Sequence, residues 1–325
     1  MSLLEEILAN PDDDDLRRIY ADTLGEDPLG EFIGIQCELA ARDSHAPDYQ
    51  ALETRERELL RLHGPRWVEA LHLPSQVIAS STTSPVEVMR GPVLAFSRGF
   101  PDQLKTSAAG IDLAALASTP LRRLVLTDIG NFMIDELCST ALPHLATLRL
   151  RDGLLEPTAL ERLGSSRLLE RVDTLALHRV AFDANDLARG RFPSLDHLEL
   201  DECPHANTHG LVTASWLPTL VTLKLLHSRA TDLAPVLISR VWRDLETLVL
   251  DAPLSDADLG ALASAHIMRN LVHLDIDSWF FNRIAVEAFD RTRRASRLMK
   301  FTVSCSSTVD VGPLQARYGA RFKRR

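Results

Sequence analysis

The chain has 325 residues, 45% hydrophobic and 25% charged, with a formal net charge of −9, an ordinary globular composition that can bury a core. No run approaches the roughly 18 uninterrupted apolar residues of a membrane helix, and Met1-Ser2-Leu3-Leu4-Glu5-Glu6 lacks the basic start and apolar stretch of a secretory signal, so a cytoplasmic protein without membrane contact is expected. The acidic excess is regional: residues 1–110 hold 10 Lys/Arg against 19 Asp/Glu while residues 111–325 hold 26 of each, which argues against nucleic acid as a partner of the first third.

From the N-terminus, residues 3–70 read as four helices, over Leu3–Ala9, Asp15–Leu24, Leu29–Arg42 and Tyr49–Leu71. The second comes after the start signal Asn10-Pro11-Asp12-Asp13-Asp14, whose carboxylates suit a helix N-terminus because the helix dipole favours negative charge there. A calcium loop is the sharper reading of Asp12–Asp15, but the alternating ligand spacing and the turn glycine are missing. Ser75–Pro92, rich in Ser, Thr and Pro, reads as a surface loop, and Phe96–Lys105 as a strand that caps the N-terminal end of the repeats. Cys37, Cys138, Cys203 and Cys305 lie far apart with no CxxC spacing, as expected of reduced, mostly buried thiols.

Beyond residue 110 the pattern L-x-x-L-x-L recurs. It begins at Leu121/Leu124/Leu126 and continues at Leu145/Leu148/Leu150, Val172/Leu175/Leu177, Leu195/Leu198/Leu200, Leu220/Leu223/Leu225, Leu245/Leu248/Leu250, Leu271/Leu274/Ile276 and Leu298/Phe301/Val303. First positions are separated by 24, 27, 23, 25, 25, 26 and 27 residues, all within the 20–29 span of leucine-rich repeats. Leucines at the fourth and sixth positions give a short strand with one buried face, because strand side chains alternate. The return segments read as helices: Leu259, Leu262 and Ala263 share a stripe, as do Leu233, Val236, Leu237 and Val241.

The hexamers resemble the leucine-rich-repeat superfamily. They depart from it at the ninth position, where Ile129, Gly153, Val180, Cys203, Ser228, Pro253, Trp279 and Ser306 replace the usual Asn; of these, Cys203 and the two serines could make a comparable turn contact. The N-terminal third resembles a bacterial family, the repeat-companion domain, which precedes leucine-rich repeats. That resemblance is carried by Leu8-Ala9-Asn10-Pro11-Asp12-Asp13, Tyr20-Ala21-Asp22, Gly30-Glu31-Phe32-Ile33, Gln36, Leu59-Leu60, His63-Gly64 and Trp67, then Phe96-Ser97-Arg98-Gly99-Phe100-Pro101. Ala316–Phe322 resembles a terminal strand common in such proteins, while Thr23, where the family tends to have Trp, and Ser75–Pro92 depart from the pattern. The resemblance implies a repeat-protein scaffold and no catalysis. The expected architecture is α/β: a right-handed leucine-rich-repeat solenoid of about eight strand–helix repeats behind a small all-α N-terminal capping domain, with 1–74 helical, 75–110 loop and cap strand, and 111–325 solenoid. Asp22 and Glu31 are expected to cap helices or pair with Arg17 or Arg18.

The third, fifth and seventh hexamer positions should face a concave surface, and they are polarised. Arg123, Arg149 and Arg151 come first, then His178, His197, Glu199, Asp201, Lys224, Asp251, His273, Asp275 and Asp277. Such a gradient would orient a protein partner and speed its encounter, so these twelve residues are the candidate partner-binding set. The alternatives are an accessory or regulatory subunit that binds through its acidic helical domain, and a metal-dependent enzyme centred on His197, Glu199 and Asp201 with Cys203, His205 and His209 nearby and help from His178. No catalytic residue, cofactor or small-molecule substrate is implied, because no G-x-S-x-G, phosphate-binding loop, H-E-x-x-H or dinucleotide glycine pattern is present. The basic run Lys323-Arg324-Arg325 is too short to imply nucleic acid.

Overall fold

The computed structural model describes residues 2–81, 89–203, 208–227, 233–278 and 280–325. His205, Ser228, Trp279, the side chain of His209 and residues 82–88 of the expected surface loop therefore lie outside the described residues. The protein is mixed α/β, with a helical N-terminal region and open, mostly parallel sheet. It divides into two compact units, residues 1–128 with 139–147, and residues 129–138 with 148–325.

The first unit opens with four helices close to their expected spans: α1 (Leu3–Ala9), α2 (Asp14–Thr23), α3 (Pro28–Ala41) and α4 (Tyr49–Glu69). The caps explain the starts. Ser2 and Glu5 form a reciprocal capping box on α1, and Asp13 accepts from the backbone of Asp15 and Leu16 to begin α2. The neighbouring Asp12 and Asp14 are held by arginines, Asp12 by Arg98 and Arg122 and Asp14 by Arg98 at 2.9 Å. The aspartate run is thus a helix cap with ion pairs.

Four strands come next: β1 (Ile78–Ser81), β2 (Val93–Ser97), β3 (Phe100–Ser107) and, after the short α5 (Leu113–Leu116), β4 (Arg123–Thr127). β1 pairs parallel with β2, β2 antiparallel with β3, and β3 parallel with β4. Two expectations are corrected here. The stretch read as loop contains β1, which satisfies the edge of β2, and the single strand expected over Phe96–Lys105 is a hairpin, because Arg98 and Gly99 turn the chain with φ of 50° and 84°. Gly99 has no room for more: a Cβ there would lie 2.1 Å from Ile33 Cγ1 and 2.8 Å from Ile33 Cα.

Several of the residues that carry the repeat-companion resemblance, Phe32, Gln36 and Trp67 among them, meet this hairpin. Gln36 accepts from Gly99 N at 2.6 Å and donates to Glu56 at 2.7 Å and to the Phe96 carbonyl. Phe32, Trp67 and Phe96 pack in tilted and edge-to-face arrangements with ring centres 4.8–5.9 Å apart. Arg17, only 3% exposed, donates to the carbonyls of Pro11, Ser97 and Arg98 and lies over the Phe100 ring. Arg17 is therefore engaged by backbone, Arg18 pairs with Asp15, and Glu31 takes Arg55 through two hydrogen bonds of 2.6 and 2.8 Å, so the expected pairing of Glu31 or Asp22 with Arg17 or Arg18 does not form.

The second unit alternates helices and strands: α6 (Asn131–Ser139), β5 (Thr147–Leu154), α7 (Ala159–Gly164), β6 (Thr174–Ala181), α8 (Ala184–Arg189), β7 (His197–Asp201), β8 (Thr222–Leu226), α9 (Ala234–Ile238), β9 (Thr247–Asp251), α10 (Asp256–Ser264), β10 (His273–Asp277), α11 (Arg283–Arg291), β11 (Lys300–Ser304), α12 (Gly312–Tyr318) and β12 (Phe322–Arg324). From β6 to β11 each strand pairs parallel with the next and matching hexamer positions stand side by side, as in Glu199↔Lys224 and Asp275↔Thr302. The inward leucines are nearly all sealed; Leu198, Leu200, Leu223, Leu225, Leu248 and Leu250 are each 3% exposed or less. Between β7 and β8 the described residues of the return form 3-10 turns, at Thr208–Thr213 and Leu217–Thr219, and no α-helix. α9 ends at Ile238, short of the expected stripe, and Trp242 takes the buried place, its indole N–H donating to the Val236 carbonyl at 2.7 Å.

Buried aspartates tie the helices of the second unit together. Asp186 of α8 accepts from Thr158 N, which opens α7, and Asp258 of α10 accepts from Ala234 N, which opens α9. Each carboxylate sits where a helix start leaves unpaired N–H groups, so its charge is matched despite burial.

Candidate functional site

Alternation on the strands puts the fourth and sixth positions in the core and the third, fifth and seventh on the opposite face, where they form rows across β5–β11. Arg123 stands in the first unit, half-buried on β4, and the other eleven candidate residues stand on the strands of the second unit.

These residues hold one another. Arg149 donates to Glu199 at 3.0 Å, and Lys224 reaches the other oxygen of Glu199 at 3.2 Å. The Arg149 side chain spans β6 to do so, and Ala176, an outward position on β6, is only 3% exposed. In the seventh row Asp201 receives two imidazoles, His178 Nδ1 at 2.7 Å and His227 Nδ1 at 2.9 Å, and His227 turns its other nitrogen towards Asp251 at 3.4 Å. The hydrogen bond to Asp201 favours the charged imidazole, so the pKa of His227 lies above its ordinary value. No family model and no curated protein matches the chain.

Further along, Asp275 accepts from Arg325 at 2.6 Å, and burial pushes its carboxyl above the usual range. Not every group is committed. Arg151 Nε is buried without a partner, His197 and His273 are exposed, and Asp277 has no ion pair among the described residues. The basic-to-acidic gradient in the sequence is therefore largely neutralised internally, leaving Arg151 at one side and Asp277 at the other.

Among the described residues, which leave out His205 and the side chain of His209, the metal constellation does not assemble as the spacing suggests. Glu199 is engaged by Arg149 and Lys224, Asp201 by two imidazoles, and His197 is exposed; among the described residues no three His, Cys, Asp or Glu groups are arranged to hold a metal ion. Cys203 is buried, its thiol donating to the Leu177 carbonyl at 3.3 Å, and burial pushes its pKa up to about 11, opposite to what a reactive thiolate needs. That contact is the turn role expected of the ninth position.

Sequence reasoning missed His227, Arg179 and Arg325. The first two occupy the eighth hexamer position, where Asp128, Asp152, Arg179, Glu202 and His227 all adopt positive φ, between 45° and 58°. That left-handed turn brings Arg179 to Asp152 at 2.6 Å and His227 to Asp201. The one available signal was that all five are polar and none is glycine.

In the first unit, α4 and β1 border a groove of about 850 Å³ lined by Glu53, Arg57, Arg61, Val77 and Ile78 among others. It mixes charge with apolar floor.

Proposed function

We propose that the protein is a non-enzymatic protein-recognition scaffold: a right-handed leucine-rich-repeat solenoid of about eight strand–helix repeats, capped by a helical domain of the repeat-companion kind, acting in the cytoplasm and seating a protein partner on its concave strand face. The partner is a protein rather than a nucleic acid, a membrane or a small molecule, and no cofactor takes part. Three features support the repeat reading: the 23–27-residue spacing of the hexamers, the burial of their leucines and the position-by-position register of β6–β11.

The observation that carries recognition is the ion-paired order of the outward side chains. Arg149–Glu199–Lys224 and His178–Asp201–His227 fix long polar side chains before any partner arrives, which lowers the entropy lost on docking. The test is affinity capture from native lysate with the wild-type chain, an Arg151→Glu/His197→Glu variant and an Arg57→Glu/Arg61→Glu variant. Arg151 and His197 form no ion pair among the described residues, so the fold is spared. A protein captured by the wild type and the α4 variant but lost from the strand variant is the expected result; retention by the strand variant would overturn the reading.

The groove beside α4 favours a second reading, an accessory or regulatory subunit held through its acidic helical domain. Loss of capture from the Arg57/Arg61 variant alone would move the assignment there.

A further inference from the structure

Two arginines lie across the strand face, and their surroundings differ. Arg149 crosses β6 to Glu199, which Lys224 also holds, and its side chain is 27% exposed. Arg325 crosses β11 to Asp275 on β10 and is 55% exposed, with no second cation hydrogen-bonded to that carboxylate among the described residues. Beneath Arg325, Thr302 is 2% exposed although it occupies an outward position, and its hydroxyl has no partner among the described residues. Asp275 stands beside Thr302 in the β10–β11 register, and its Oδ1 is likewise buried with no partner among the described residues. Asp277, two residues on and facing the same side, has no ion pair among the described residues and lies close enough to raise the charge burden on Asp275. Buried polar atoms without partners are rare in folded proteins, and here a buried acceptor and a buried hydroxyl sit side by side under one guanidinium.

We propose that Asp275, Asp277 and Thr302 form a seat for a basic side chain of a protein partner, and that Arg325 rests in that seat in the free protein. The inference rests on the strand-face reading above and gives its acidic end a chemical specificity. Arg325 shows the fit: a guanidinium reaches Asp275 Oδ2 at 2.6 Å. An incoming arginine supplies several N–H donors, enough for both Asp275 oxygens and Asp277, and Thr302 has lone pairs to accept one more. Lys300 and His273, at the third positions of the same strands, flank the seat and favour a single cation over a polycationic segment.

The experiment uses the full chain and three capped peptides, acetyl-Gly-Arg-Gly-amide, its lysine counterpart and its citrulline counterpart, which keeps the shape without the charge. Binding is read from the side-chain carboxyl ¹³C shifts of Asp275 and Asp277. Arg325→Ala leaves the backbone bond from Arg325 N to the Val303 carbonyl intact, so β12 is retained; Arg325→Gln keeps the length of the side chain if alanine loosens the strand. The expected result is at least tenfold tighter binding of the arginine peptide to either variant than to wild type. The lysine peptide should bind more weakly, the citrulline peptide should not bind detectably, and adding Asp277→Asn should lose at least tenfold. Equal binding by wild type and both Arg325 variants, or equal binding of the citrulline peptide, would overturn the seat. Lysate capture without peptide binding would leave the strand face standing and remove this seat, whereas the reverse would leave the seat and remove the scaffold.

Discussion

The two units are held together on opposite plans. In the first, stability is concentrated in contacts that occur once: Gly99 against Ile33, Gln36 between hairpin and helix, and Arg17 on three carbonyls. In the second it is spread over leucines that recur from strand to strand and over carboxylates that cap one helix from the next. The first unit therefore has no substitute for a lost contact, whereas in the second each strand leans mainly on its two neighbours.

The largest effect should come from Gly99→Val. A side chain at φ 84° costs about 1–2 kcal/mol, overpacking adds about 1–3 kcal/mol, and here the obstacle includes the Ile33 backbone, which cannot swing away. A loss of about 4 kcal/mol is expected, read by denaturant unfolding, with hydrogen exchange rising through α1–α4 and the β2–β3 hairpin together; protection confined to its wild-type pattern would refute the concentrated plan. Next comes Leu248→Ala, which empties a fully buried position on β9 at a cost of about 3 kcal/mol. Faster exchange should be graded, strongest in β8–β10. A smaller loss of about 2 kcal/mol is expected for Asp258→Ala, which strips a cap from α9 and α10 at once. Asp258→Asn should recover part of that stability, because its carbonyl oxygen still accepts.

The two plans also explain what could be read in advance. The leucine pattern recurs eight times, so the strands, their buried faces and most of the intervening helices were legible, although the described β7–β8 return is built of 3-10 turns and α9 stops short. The four N-terminal helices were legible too, the second from its Asp12–Asp14 start signal. The hairpin was not, because its turn depends on Arg98 accepting positive φ and on the close approach of Ile33 from a helix more than sixty residues earlier. β1 was hidden because Ile78-Ala79-Ser80-Ser81 is mostly small and polar, and it is a strand by pairing with β2 rather than by its own pattern. The polar rows on the strand face were legible as positions but not as pairs. Arg149 skips a strand to find Glu199, and His227 joins the network only because the left-handed turn at the eighth position redirects it. Spacing along one strand carries no trace of either.

The subtlest difference between the units is electrostatic, and His227 isolates it. In the first unit Asp12 is held by arginines, which stay charged at any working pH, and its pKa is lowered; in the second Asp201 is held by imidazoles, which do not. The hydrogen bond to Asp201 raises His227 above its ordinary 6.5, so the bond contributes stability that is fully present below that value and is lost as pH rises through the folded-state pKa. The ring is 62% exposed, so solvent and salt screen the effect and the change in overall stability is small. Proton titration of the imidazole by NMR reads it directly. The wild-type midpoint should lie above 6.5 and Asp201→Asn should bring it back towards that value, while Asp251→Asn, whose contact is longer at 3.4 Å, should move it less. A midpoint indifferent to Asp201→Asn would mean that the imidazole is not held by that carboxylate in solution, and the order of the seventh row would then rest on the His178–Asp201 contact alone.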